Sequence, residues 1–241
     1  RLMVERSKDI IEGISIVLRL FEKGEAIIGI EDNKPKAIDA LSFECNGNNR
    51  INVMPLSTRY PQGGERRLIS SVTGRQINSH ILPADAGVIV LNIATIIAIY
   101  EAVKMNMPLV HRVVTLTGDG INEPGNMDVP LGISHKYLAD ECGGIKDSTV
   151  KIISGGPMMG MAMNSLDYPV IKTSSSILAI THDDVEKMET SACIRCGRCV
   201  GACPETLVPQ LMAQAVINKN YEQFEKLYGM ECIECGCCTY V

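Results

Sequence analysis

Residues 193–204 read Cys-Ile-Arg-Cys-Gly-Arg-Cys-Val-Gly-Ala-Cys-Pro, and residues 232–241 read Cys-Ile-Glu-Cys-Gly-Cys-Cys-Thr-Tyr-Val. The first is a full C-x2-C-x2-C-x3-C-P run. The second repeats its first three steps at Cys232, Cys235 and Cys238. A four-iron cubane needs one thiolate per iron. Three cysteines two residues apart let the backbone curl around three corners, and the fourth cysteine of such a run ligates the other cluster of a pair. The spacing therefore predicts two [4Fe–4S] clusters. Cys193, Cys196 and Cys199 hold one, with a fourth ligand expected at position 242. Cys232, Cys235 and Cys238 hold the other, with Cys203 crossing over. Gly197 and Gly236 sit where the backbone must come close to the cluster, and Pro204 turns the chain away. Cys237 is off the spacing and reads as a spare.

Zinc also favours paired C-x2-C, but it asks neither for the third step nor for the terminal Cys-Pro. Cysteines packed this densely in C-x2-C loops are poorly placed for disulfides. Cys45 and Cys142 stand alone and read as ordinary buried thiols. Reduced cysteines imply the cytoplasm. Arg195 and Arg198 place positive charge beside the first loop, which favours a reduced cluster there.

The rest of the chain bounds the possibilities. At 241 residues and 46% hydrophobic it has room for two or three small domains with real cores. Aromatics make up 4%, there is no Trp, and the formal net charge is −5. These facts argue against a nucleic-acid partner. The longest uncharged stretch, 86–100, is shorter than the roughly 20 residues a spanning helix needs. His80, His111, His135 and His182 form no ligand set.

Working back from the cysteines, Ile10, Ile14, Val17, Leu18 and Phe21 recur at helical spacing and Gly24 ends the run. Residues 26–30 and 51–54 read as buried strands, with a helix over 36–43 that starts at Pro35. Another helix opens over 66–71. Val88 to Leu91 reads as a third strand and 93–104 as the next helix. This alternation predicts an α/β domain with a parallel sheet. Beyond Pro108 the pattern changes to short alternating strands at 112–117 and 125–131, a helix over 132–142 and a strand at 150–153. Those elements suggest a small β-grasp-like α+β domain. Residues 169–180 read as an extended linker and 183–189 as a charged helix. Two helices fill the insert between Cys203 and Cys232, as in all-helical ferredoxins. The expected divisions are 1–106, 107–168, a linker and helix over 169–190, and a two-cluster domain over 191–241.

Four features then converge: Gly29-Ile-Glu-Asp-Asn-Lys-Pro35, Tyr60-Pro-Gln-Gly-Gly-Glu65, Gly155-Gly-Pro-Met-Met-Gly160, and the paired cysteine runs in this order. In combination they resemble the C subunits of Rnf-type (Rsx-type) ion-translocating electron transport complexes. That family is similar to the NADH-binding flavoprotein subunit of respiratory complex I. The resemblance implies a flavin-nucleotide α/β domain, a β-grasp soluble-ligand-binding domain and a ferredoxin domain. It implies FMN and NADH contacts at Tyr60, Gly63, Gly64 and Glu65, and at Asn92 and Thr95. The relatives often carry an acidic residue where Gly64 stands and a Glu where Ala94 stands. Their Gly-rich G-x-G-G-A-x-F-P loop is absent, so the sequence reads as a piece that starts after it. The implied role is a peripheral subunit on the cytoplasmic face of the inner membrane. It would pass electrons between NADH, FMN, the clusters and partner subunits, with ferredoxin as a further partner. Two alternatives are a cobalamin reductase of the propanediol-utilisation type and a flavin-free electron-transfer docking module.

Overall fold

The computed structural model describes residues 1–184, 186, 188–189 and 191–241. It falls into two compact units, Arg1–Leu109 and Val110–Val241.

The first unit opens with α1 (Leu2–Glu5) and α2 (Ser7–Leu18), continues through β1 (Ala26–Glu31), α3 (Pro35–Glu44) and β2 (Ile51–Leu56), and closes with α4 (Glu65–Thr73) and α5 (Ile93–Lys104). β1 and β2 pair in parallel from Ala26↔Ile51 to Glu31↔Leu56. Parallel neighbours need a crossover, and α3 supplies it, with Pro35 in its first turn. Ile10, Ile14 and Leu18 lie one helical turn apart on α2 and are buried. They close a core with Ile28, Ile30, Leu41, Ile51, Ile96 and Ile97. Gly13 lets α5 approach α2, because a Cβ there would lie 2.5 Å from the Ile96 carbonyl oxygen. Arg6 bridges the same two helices, donating to Asp9 at 2.7 Å and to Glu101 at 2.5 Å.

The third strand expected at Val88 to Leu91 is not formed. Those residues and Ala26 to Gly29 of β1 line one apolar cavity of about 550 Å³. The run thus faces β1 across a gap, and a strand without a ladder partner is only extended chain. The apolar pattern marks a buried-looking segment but does not name its neighbour.

The second unit contains β3 (His111–Thr117), β4 (Gly125–Pro130), α6 (His135–Glu141), β5 (Lys151–Ser154), β6 (Met161–Met163) and β7 (Ser176–Ile180). The sheet order is β4-β3-β7-β5-β6. β7 is parallel to β3 and antiparallel to β5. It occupies the centre of the sheet, which corrects the reading of 169–180 as a linker. Ile177 and Ala179 are fully buried on it, packed with Val114, Leu116 and Leu138. The Asp119 carboxylate accepts from the Thr181 N–H at 3.0 Å and from its hydroxyl, tying the end of β7 to the turn after β3. The hydroxyl bond, then the N–H, hold Asp119 below the usual carboxylate range. Just beyond, Lys151 pairs with buried Asp183. The charged helix expected over 183–189 includes Val185 and Lys187, which lie outside the described residues.

Residues 191–241 carry α7 (Arg198–Ala202), α8 (Pro209–Ile217), α9 (Tyr221–Lys226), a 3-10 turn (Gly229–Glu231) and α10 (Cys237–Tyr240). Among the described residues of this stretch there is no strand. Of the two solitary cysteines, Cys142 is buried and Cys45 is only half-buried.

Candidate metal centre and nucleotide site

The two cysteine runs fold into the same loop. Arg195 and Glu234, each directly before the second cysteine of its run, adopt φ of 57° and 54°. Gly197 and Gly236 adopt φ of 77° and 80°. The N–H of Arg195 donates to Cys193 Sγ at 3.4 Å, and the N–H of Glu234 donates to Cys232 Sγ at 3.4 Å. Each glycine then caps a helix carrying the third cysteine. Its carbonyl accepts from Val200 and Gly201 in one loop and from Thr239 and Tyr240 in the other. The left-handed turns aim backbone N–H groups at the sulfurs. Donors placed there stabilise thiolate, the form a metal centre binds.

Cys203 caps the end of α7 and accepts from the Leu207 N–H at 3.4 Å. α7 packs against α10, and the charge of Cys203 acts on the Cys237 thiol together with those of Cys235 and Cys238. α7, which Cys203 ends, therefore lies beside the short helix that carries Cys238. Burial first, then the bond to Cys235 and these neighbouring charges, push the Cys237 thiol up. Among the described residues no three His, Cys, Asp or Glu side chains gather tightly enough for a single metal ion. Seven thiols in two C-x2-C-x2-C runs, with Cys203 following the first, are the donor type and spacing that a pair of cubanes takes. The donor set fits the cluster.

The residues expected to contact a nucleotide lie in two places on the first unit. Tyr60, Gly63 and Gly64 form the turn that feeds α4, with Gly64 as its N-cap and Glu65 in its first turn. The first N–H groups of a helix are open to an anion. Gln62 Nε2 is buried in this turn with no hydrogen-bond partner among the described residues, so a donor there awaits an acceptor. A Cβ on Gly63 would meet nothing within 4 Å, so the turn is open. Asn92 is the N-cap of α5, its Oδ1 accepting from the Ala94 N–H at 2.9 Å. Sequence reasoning misses this capping role, although Asn before an apolar helical run is its signal. The Nδ2 hydrogens are the part left for a ligand. Thr95 lies exposed in the first turn. The apolar cavity is lined by neither cluster of residues, taking Leu68, Ile69, Ile93 and Ile96 from the same two helices instead. The residues around α4 fit a phosphate-bearing group.

Family models match three successive segments: the Nuo51 FMN-binding domain over residues 1–101, the SLBB domain over 113–162 and the 4Fe-4S dicluster domain over 186–241. Over 230 residues the chain is 45% identical to the C subunit of the proton-translocating ferredoxin:NAD(+) oxidoreductase complex of Clostridium ljungdahlii, covering 95% of this chain and 50% of that protein. The chain is homologous to these C subunits. The homologous C subunit of the Na(+)-translocating ferredoxin:NAD(+) oxidoreductase complex of Acetobacterium woodii is 39% identical, with 95% of this chain and 52% of the relative covered. The C subunit of the ion-translocating oxidoreductase complex of Rhodobacter capsulatus is 40% identical over 87% of this chain and 40% of its own length. The chain spans about half the length of the first two curated relatives. The FMN, SLBB and dicluster segments follow in the order the C-subunit resemblance implies, and the first contains the parallel sheet. The SLBB match ends before β7, the strand that completes the sheet around it. Among the described residues no helix is long and apolar enough to cross a membrane.

Proposed function

We propose that this chain belongs to a peripheral electron-transfer subunit of an ion-translocating NADH–ferredoxin oxidoreductase, placed on the cytoplasmic face of the membrane. FMN accepts a hydride and releases electrons singly, and each cluster carries one. The single observation that carries the reading is the matched pair of cysteine loops, alike in both left-handed turns and in the N–H bond to sulfur. Cys193, Cys196 and Cys199 hold one cluster. Cys203, Cys232, Cys235 and Cys238 hold the second. The turn Tyr60 to Glu65 and the start of α4 bind the flavin phosphate, and Asn92 and Thr95 approach the ring system or NADH. The hairpin β3–β4, α6 and the returning central strand β7 have the order of a β-grasp, read here as a docking module for partner subunits. The names of the relatives favour this reading over a cobalamin reductase.

The cluster half is tested by anaerobic analysis of the full-length subunit. About eight irons and eight acid-labile sulfides per chain are expected for two cubanes. Stoichiometric zinc without labile sulfide overturns it. The flavin half is tested by two variants at Asn92. Asn92→Ala removes both the cap and the amide. It should cost about 1 kcal/mol of stability and release FMN. Asn92→Ser keeps a capping oxygen and drops the amide N–H. It should retain stability and still release FMN, with the cluster absorbance unchanged in both. Full flavin content in Asn92→Ser removes Asn92 from the site.

A further inference from the structure

We infer that the two cluster sites are built unequal, and that the cluster held by Cys193, Cys196 and Cys199 has the higher reduction potential of the pair. This rests on the two-cluster reading above. The two loops share their backbone, so conformation and the N–H bond to the first sulfur cancel in the comparison. Three differences act in one direction.

The first is charge. Arg195 in one loop stands where Glu234 stands in the other, and Arg198 stands where Cys237 stands. Arg195, Arg198 and Glu234 are exposed. Reduction adds one electron, taking [4Fe–4S]2+ to [4Fe–4S]1+. A nearby cation favours that product and an anion opposes it. The second difference is a donor. Cys199 Sγ lies 3.2 Å from the Gln210 amide. That contact is drawn from a thiol to Oε1; against a thiolate the amide turns and offers Nε2–H, since its two ends exchange by a flip. A hydrogen bond to a ligating sulfur stabilises the reduced state. The third is cover. The methyl of Met158, from the Gly155–Gly160 loop, would lie 3.3 Å from a Cβ on Gly236, and the Met158 carbonyl oxygen 3.5 Å, whereas a Cβ on Gly197 would meet nothing within 4 Å. Cys193 and Cys196 are exposed, and of the second set only Cys232 is. Shielding from water opposes the added charge, and so does a carbonyl oxygen aimed at the loop. One feature runs the other way: the Cys237 thiol is a weak donor beside the second set. It is a single neutral group set against a charge reversal, an amide and a covered face.

The test uses the full-length natural protein, loaded anaerobically, with dithionite as reductant and electron paramagnetic resonance following each cluster during a potentiometric titration. Two separate one-electron steps are expected. Arg195→Glu should move the upper step down and leave the lower in place. Glu234→Arg should move the lower step up and leave the upper in place. Both residues have a Cβ and adopt the same left-handed turn, so the exchange does not alter backbone strain. The double exchange should narrow the gap, and added salt should shrink every shift because these charges are exposed. Where a reversal lowers cluster loading, Arg195→Gln and Glu234→Gln give the same directions with smaller shifts. A lower step that responds to Arg195, or two steps that ignore both variants at full iron content, overturns the inference. Wild-type protein lacking about eight irons instead defeats the two-cluster reading itself.

Discussion

Cys203→Ala should damage one cluster and spare the other, leaving about seven irons and eight labile sulfides where a [3Fe–4S] form remains, and about half of both where the cluster is lost outright. The cluster damaged is the one at Cys232, Cys235 and Cys238, although Cys203 belongs by sequence to the first run. The assignment follows from where the chain puts the sulfur. Cys203 ends α7, and α7 packs on α10, the helix that carries Cys238. A cubane left with three protein ligands sheds an iron readily, so the expected spectroscopic trace is a [3Fe–4S] signal or outright loss at the second site. Cys237 lies close enough to be recruited, so the double variant Cys203→Ala, Cys237→Ala separates rescue from retention. Loss of the cluster at Cys193, Cys196 and Cys199, with the second intact, contradicts crossed ligation.

Ile177→Ala should destabilise the Val110–Val241 unit by about 2–5 kcal/mol, the range for a large aliphatic cut to Ala in a packed core. Ile177 is fully buried on β7, between β3 and β5, and belongs to the same cluster as Leu116 and Leu138. Chemical denaturation followed by circular dichroism measures the change. An effect within about 0.5 kcal/mol, as on an exposed segment, would return residues 176–180 to the role of linker. The control is Ile171→Ala, nearby in sequence but more than half exposed at 55%. It should change stability little.

The contrast between β7 and the cysteine loops shows what a sequence can disclose. Cluster ligation is local: three cysteines at fixed spacing and a glycine determine the loop, and the same turns repeat at both runs. β1, α3, β2 and α5 are equally readable, since Pro35, Asn92 and the apolar periodicity act within a few residues. β7 is not. Ser176 to Ile180 alternates weakly and follows a run of Thr and Ser, so it resembles a connector. Its central place comes from partners some sixty residues earlier, at Thr115 to Thr117, and from Lys151 to Ser154. Val88 to Leu91 misleads in the opposite way, carrying the apolar content of a strand without a partner to pair with. Asn92 draws notice as a ligand contact while its oxygen is already committed to the helix. The approach of Met158 to Gly236 joins segments 78 positions apart and has no sequence signal at all.

Arg195 and Glu234 hold a conformation that costs an ordinary side chain roughly 1–2 kcal/mol and that glycine or asparagine adopts with little penalty. Either of those residues would make a more comfortable loop. The chain instead keeps a long cation in one and a carboxylate in the other, so at this position conformational ease has yielded to electrical character. Bound iron and sulfide should therefore do part of the work of holding the loops, and stripping the metal should let amide exchange at Arg195 and Glu234 quicken before the helices around them loosen.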